Sequence, residues 1–228
     1  MLDIDIITVQ PRMFEGFLSE SIVARAVKKG ACTINIRDLR EYGEGRWRKV
    51  DDKPYGGGPG MLMKCAPWFA AVEAALCGSS AGGGVRVVMT SPQGRRFTQR
   101  DAEEFSGCER LVFMCGRYEG FDARIETLAT DKFSIGDFVM TGGELAAAAM
   151  VDSTVRLLPG VLGGGPAATA SESFSGDGML EAPQYTNPPV FRGMRVPEVL
   201  LSGDHRRIEA WKKAESKKLT LRERPDLV

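Results

Sequence analysis

Two short apolar segments set the fold class. Val85-Arg86-Val87-Val88-Met89 and Leu111-Val112-Phe113-Met114 are too short for helices and read as strands buried on both faces. Residues 3–9 alternate and then turn apolar, which gives a third strand, and residues 32–36 give a fourth. Helical spacing fills the intervals. Phe14, Phe17, Leu18, Ile22 and Ala26 recur on one face after Pro11, with Gly30 as a stop. Residues 66–77 read as a helix opening near Pro67, and Thr98 can cap a short helix over residues 98–105. Further helices fall near residues 123–128 and 143–151. Strands alternating with helices predict an α/β fold with a mainly parallel sheet, covered on both faces.

The chain has 228 residues, enough for one large or two small domains. Hydrophobic residues make up 43% and can build a core, which excludes disorder as the main state. The longest apolar run, residues 145–151, falls far short of the roughly 20 residues of a membrane helix. The N-terminus has neither the basic flank nor the apolar length of a secretory signal, so a cytoplasmic protein without a membrane partner is expected. Lys and Arg number 30, as do Asp and Glu, which argues against a uniformly basic nucleic-acid binder but leaves room for a basic face. The five cysteines include no CxxC pair, so neither a disulfide framework nor a Cys-rich zinc site is expected. His205 is the only histidine, which excludes HExxH and three-histidine zinc sites. A Ser-His-Asp triad would have to run through His205, in a basic segment. No metal site is expected.

From Pro159 the composition shifts. Residues 160–178 carry Gly160, Gly163, Gly164, Gly165, Gly176 and Gly178 with Pro166, the chemistry of a flexible linker. The chain therefore divides into a domain over residues 1–160, a linker over 161–178 and a smaller, mainly helical domain over 179–228. In the last part Asp204 can cap a helix with Ile208, Trp211 and Ala214 on one side, and His205 is expected in that cap. Residues 203–228 hold eight Lys or Arg against five acids.

Three glycine-bearing stretches follow strands: Thr90-Ser91-Pro92-Gln93-Gly94, Cys115-Gly116-Arg117-Tyr118-Glu119-Gly120, and Ser134-Ile135-Gly136-Asp137-Phe138-Val139-Met140-Thr141-Gly142-Gly143-Glu144. Parallel α/β sheets bind ligands at the carboxyl ends of strands, and glycine lets backbone groups approach a ligand. These loops are expected to converge on one pocket. No GxGxxG follows a strand and no GK[ST] is present, so a dinucleotide fold or P-loop is disfavoured. A fourth stretch runs Val50-Asp51-Asp52-Lys53-Pro54-Tyr55-Gly56-Gly57-Gly58-Pro59-Gly60-Met61. Arg46, Arg48, Lys49 and Lys53 interleave there with Trp47 and Tyr55, a pattern that suits a phosphate backbone and an unstacked base.

Together with Pro159-Gly160-Val161-Leu162-Gly163 and Val199-Leu200-Leu201-Ser202-Gly203, these stretches resemble the bacterial tRNA (guanine-N1)-methyltransferase family, from residue 1 nearly to the end. The resemblance implies a SPOUT-class fold with a deep trefoil knot late in the catalytic domain. It implies a homodimer with its active site at the interface and S-adenosylmethionine as methyl donor. The family analogy also allows for magnesium. The substrate would be tRNA with guanosine immediately 3′ of the anticodon. Gly116 and Ile135, Gly136, Asp137, Phe138, Val139 and Met140 carry over as donor-binding positions, and Pro92, Gly142 and Gly143 line the same pocket. The C-terminal domain would grip tRNA.

Guanine N1 carries a proton at neutral pH, so methylation there needs a base near N1 and a positive group near O6. The family uses an Asp in an Asp-Ser-Phe run and an Arg before Pro-Gly-Val-Leu-Gly. These positions are Glu172, in Glu172-Ser173-Phe174, and Arg156. Glu172 is one methylene longer than the family's Asp, and Asp177 is the alternative base. The Glu for Asp change also admits a catalytically silent SPOUT-like RNA-binding module. A SPOUT enzyme acting on ribosomal RNA is a third reading. The sequence stops at Val228 where family members often run further; a shorter tail would weaken tRNA contacts and leave the chemistry intact.

Overall fold

A computed structural model describes residues 1–78, 84–165 and 169–228. Pro166 of the expected linker lies outside the described residues. The chain forms two units, Met1–Gly163 and Gly164–Val228.

The first unit is built on a parallel five-stranded sheet. Its strands are β1 (Leu2–Thr8), β2 (Cys32–Asp38), β5 (Val85–Arg96), β6 (Arg110–Cys115) and β7 (Asp131–Ser134), in the order β2-β1-β6-β5-β7. Period-two alternation divides the apolar runs between two cores. Ile4, Ile6, Val88, Leu111 and Phe113 enter one. Ile7, Val87, Met89, Val112 and Met114 enter the other. Burial on both faces is why these strands read as continuous apolar runs.

Helices α1 (Glu15–Ser19), α2 (Ser21–Lys28), α4 (Gln99–Ser106) and α5 (Glu144–Val155) flank the first core, to which Ala26, Phe105, Met150 and Val151 contribute. Helix α3 (Cys65–Leu76) covers the second core with Trp68, Ala71, Val72 and Ala75. Two strands, β3 (Asp51–Asp52) and β4 (Leu62–Met63), pair antiparallel and flank the Gly-Pro stretch. Gly56, Gly57, Gly58 and Gly60 there have positive φ, a conformation open to glycine at low cost.

Several expectations are corrected. The continuous helix expected after Pro11 is three pieces: a 3-10 turn over Pro11–Phe14, then α1 and α2, with the chain extended at Glu20. The helix expected near 123–128 is a 3-10 segment, Ala123–Leu128, capped by the Asp122 side chain accepting from the Arg124 N–H. Strand β5 does not end at Met89. It pairs with β7 up to Thr90, leaves the ladder, and rejoins it at Arg95. The polar residues that suggested a loop form this excursion. Val161 is buried in the first core, so that core extends beyond residue 160.

Helix α4 is fixed by a carboxylate. Asp101 accepts from the Thr98 N–H (2.8 Å) and hydroxyl (2.7 Å) and pairs with Arg95. Burial alone would raise the Asp101 pKa, but the Arg95 and Thr98 donors hold it below the usual carboxylate range. The folded group is thus the stronger acid, so its stabilisation is complete above about pH 4 and fades as pH falls through the folded value. Asp101→Asn is expected to lower unfolding free energy by about 1–2 kcal/mol at pH 7, and by less at pH 3. Urea unfolding at the two pH values checks this.

The second unit is organised by α6 (Glu198–Leu201) and α7 (His205–Glu223), with the hairpin β8 (Val190–Phe191) and β9 (Met194–Arg195). Asp204 caps α7, accepting from the Arg206 and Arg207 N–H groups. His205 is the first residue of that helix and not the capping group. Ala214 is exposed. The inward side of α7 ends instead in Ser216 and Thr220, which bond the carbonyl (2.6 Å) and N–H (3.0 Å) of Leu180. These bonds pin the turn-rich segment before Leu180 to α7.

Candidate active site

Strands β5, β6 and β7 are parallel, so their carboxyl ends lie on one side of the sheet, and a cleft of ≈ 270 Å³ opens there. All three glycine-bearing loops line it. Pro92 comes from the excursion of β5 and Gly116 from the loop after β6. Ile135, Gly136, Phe138, Val139, Met140, Gly142 and Gly143 come from the loop after β7. Asp137 is not in the lining; its carboxylate turns to the surface and pairs with Arg96 at 2.7 Å.

Two glycines of the lining leave no room for a side chain. A Cβ on Gly116 would stand 2.6 Å from the Phe121 ring, and one on Gly143 would stand 1.9 Å from Thr90 Oγ1. The Gly143 N–H donates to the Gly116 carbonyl at 2.8 Å, which ties the second loop to the third. Thr90 Oγ1 donates to the Met114 carbonyl at 2.9 Å, tying the end of β5 to β6. On the excursion a Cβ at Gly94 would meet Phe133 N at 2.5 Å, so the returning chain lies directly on β7.

The cleft has an apolar side from Ile135, Phe138, Val139 and Met140, and polar groups from Gln93, Glu119 and Thr141. This set offers apolar surface for a flat ring, with backbone amides and carbonyls and a carboxylate within reach of polar groups on a ligand. Among the described residues no cluster of three or more His, Cys, Asp or Glu is placed to hold a metal ion.

The two residues expected to carry the chemistry lie elsewhere in the chain. Arg156 is the C-terminal cap of α5, half-buried, and outside the cleft lining. Glu172 is half-buried in the second unit. It lines a hollow of ≈ 700 Å³ with Asp177, Glu181, Lys212 and Lys213. Its carbonyl accepts from the Ser175 N–H (3.1 Å) and hydroxyl (2.6 Å). Asp177 is exposed and accepts from the Met179 N–H at 3.3 Å.

Sequence reasoning quoted Arg117 and Glu144 within the loops but gave them no role. They form an ion pair, Nε to Oε2 3.0 Å, of which Arg117 lines the cleft. A carboxylate 1% exposed at the first residue of a helix is the signal, and it becomes visible only once the fold joins two loops far apart in sequence.

A family profile described as tRNA (Guanine-1)-methyltransferase TrmD matches residues 2–228. The chain belongs to this family. Among curated relatives, the tRNA (guanine-N(1)-)-methyltransferase of Anaeromyxobacter dehalogenans (strain 2CP-C) is 53% identical over 227 residues, covering 99% of this chain and 90% of the relative. That of Geobacillus kaustophilus (strain HTA426) is 52% identical over 226 residues, 99% and 91%. That of Halalkalibacterium halodurans is 50% identical over 228 residues, 100% and 91%. Family membership explains why the three glycine loops and the Gly-Pro stretch occur together in one chain. It covers both units, not the sheet alone.

Proposed function

We propose that this chain transfers the methyl group of S-adenosylmethionine to N1 of the guanosine immediately 3′ of the anticodon of tRNA. The family match over residues 2–228 carries the reading. The cleft at the ends of β5, β6 and β7 is the donor site in this reading, and the gathering of nine expected donor positions there supports it. Bound there, the donor supplies an electrophilic methyl carbon on a sulfonium sulfur.

The chain's own residues must deal with the N1 proton. Glu172 accepts that proton, the electron pair that held it makes the new N1–C bond, and the carbon–sulfur pair leaves with the sulfur, which becomes a neutral thioether. Arg156 places its guanidinium at O6, where negative charge develops as the proton leaves. Glu172 stands where the family has Asp, and a one-methylene change matters because about 1 Å of misplacement can cost on the order of 10²-fold in rate. The segment after Gly163 is long enough to take up that difference when tRNA binds.

The remaining parts follow the same reading. Residues 1–160 hold the donor, threaded as a trefoil knot around the three loops. Residues 161–178 carry the base, and residues 179–228 grip tRNA, with Arg206, Arg207, Lys212 and Lys213 of α7 on phosphates. Trp47, 76% exposed with Arg46 stacked over its ring at 5.5 Å, and the fully exposed Tyr55 offer stacking surfaces for an unpaired base. Exposed Phe138, Val139 and Leu145 near the cleft are the apolar surface that a second copy would cover in a homodimer. Magnesium would enter with the tRNA phosphates. Reduced, unpaired cysteines suit the cytoplasm.

Two tRNA transcripts that differ only in G or A immediately 3′ of the anticodon test the reading. Labelled S-adenosylmethionine should mark the G transcript alone. Label on both would refute the substrate assignment. Donor binding without label on either would point to a silent RNA-binding module.

A further inference from the structure

Glu144 carries its charge into the protein interior, and its position gives that cost a purpose. The residue is 1% exposed and opens α5. Oε1 accepts from the Thr8 hydroxyl at 2.7 Å, and both carboxylate oxygens accept from Arg117 Nε, at 3.1 and 3.0 Å. Thr8 ends β1, Arg117 lies in the loop after β6, and Glu144 follows the loop after β7. One carboxylate therefore ties together three strand-end segments that are far apart in sequence.

The tie bears on the cleft wall. A Cβ at Gly142 would lie 2.3 Å from Arg117 Nε and 2.4 Å from Glu144 Oε2, so the ion pair is packed against the Gly142 backbone. Arg117 and Gly142 also form an antiparallel bridge. The Arg117 N–H is directed at Met63 Sδ (3.3 Å), and its Nη2 at Met13 Sδ (2.8 Å). Arg117, Gly142 and Gly143 all line the cleft. A buried pair of this kind adds little net stability compared with apolar residues of the same size, so its value lies in fixing geometry.

We propose that Glu144, acting through Arg117 and joined by Thr8, is a positioning residue that holds two of the cleft loops in the shape that binds the methyl donor. The proposal rests on the reading of the cleft as the donor site. Glu144→Gln keeps the side-chain size and removes the charge that orients Arg117. Thr8→Val removes the hydroxyl arm, together with the bond that this hydroxyl accepts from the Gln10 N–H at 2.8 Å. The double variant Glu144→Gln/Arg117→Met removes both charges, so no unpaired ion stays buried.

Calorimetric titration of S-adenosylmethionine into each full-length protein, below its melting temperature, is the test. Glu144→Gln should raise the donor Kd about tenfold or more, and Thr8→Val should shift it the same way by about threefold. The KM for tRNA should stay within about twofold, since this pair makes no tRNA contact in the proposal. The double variant should regain melting temperature but not donor affinity, because the tie is still missing. A donor Kd in Glu144→Gln within about twofold of the parent overturns the proposal, as does affinity that recovers together with melting temperature. Photochemical cross-linking of labelled donor to the unaltered protein separates the two claims. Label on residues 89–93, 116–121 or 133–143 upholds the donor cleft independently of the variants. Label elsewhere removes that reading and this proposal with it.

Discussion

Glu172→Ala is expected to lower single-turnover methyl transfer by about 10³-fold, within the range a general base contributes. Donor affinity should be unchanged, because Glu172 does not line the cleft between the strand ends. The N1 proton has no other assigned acceptor, so a lost carboxylate cannot be compensated by tighter binding. Glu172→Asp restores the family's residue and should retain the rate to within about tenfold, since the carboxylate survives one methylene back. Asp177→Asn should have little effect. If Asp177→Asn abolished transfer and Glu172→Ala did not, the roles of the two would be exchanged. Rates measured with donor and tRNA both saturating keep the comparison on the chemical step.

Gly143→Ala should destroy donor binding by a different route. Its backbone is in an ordinary conformation (φ −85°), so the obstacle is contact and not strain. The new methyl would lie 1.9 Å from Thr90 Oγ1, 2.9 Å from Thr90 Cβ and 3.0 Å from Gly116 N. None of these can yield easily. Thr90 is 4% exposed and bonded to Met114, and Gly116 is backbone in the neighbouring loop. The loop bearing Gly143 must therefore move away, which breaks its bond to the Gly116 carbonyl and opens the cleft. A loss of about 10²-fold or more in donor affinity is expected, with about 1–3 kcal/mol of overpacking cost in stability. Gly16→Ala is the control. Its Cβ meets nothing within 4 Å and it lies in α1, so donor affinity should hold. Calorimetric titration with melting curves on both proteins checks the contrast.

The sheet was legible because both its faces are buried. The segments at 85–89 and 111–114 could hardly be anything but central strands, β1 followed from the alternation of residues 3–9, and β2 from the short run at 32–36. The excursion of β5 was not legible. Ser91, Pro92, Gln93 and Gly94 have the chemistry of a turn, and only the tertiary pairing of Arg95 and Arg96 with β7 returns the chain to the sheet. Helix α5 outran its expected end at residue 151 because Ser153 and Thr154 satisfy their hydroxyls on the Ala149 and Met150 carbonyls of the same helix.

The candidate site was legible in part, and for two separate reasons. Glycines after strands pointed to a ligand pocket on general grounds. Glu172 and Arg156 came only from family resemblance, since a carboxylate in a Gly-Ser-rich stretch and an arginine at a helix end have no distinguishing local pattern. The tie between Arg117 and Glu144 stayed hidden because its members are separated by 27 residues and meet only through the packing of two loops.

In the proposed reaction a proton leaves guanine N1 and a methyl group takes its place. Nucleoside analysis of the modified G transcript, digested after one turnover with labelled donor, tests it most directly. The account predicts label in 1-methylguanosine alone, from the position immediately 3′ of the anticodon. Label on a ribose hydroxyl, on another guanine atom, or at another nucleotide would contradict it.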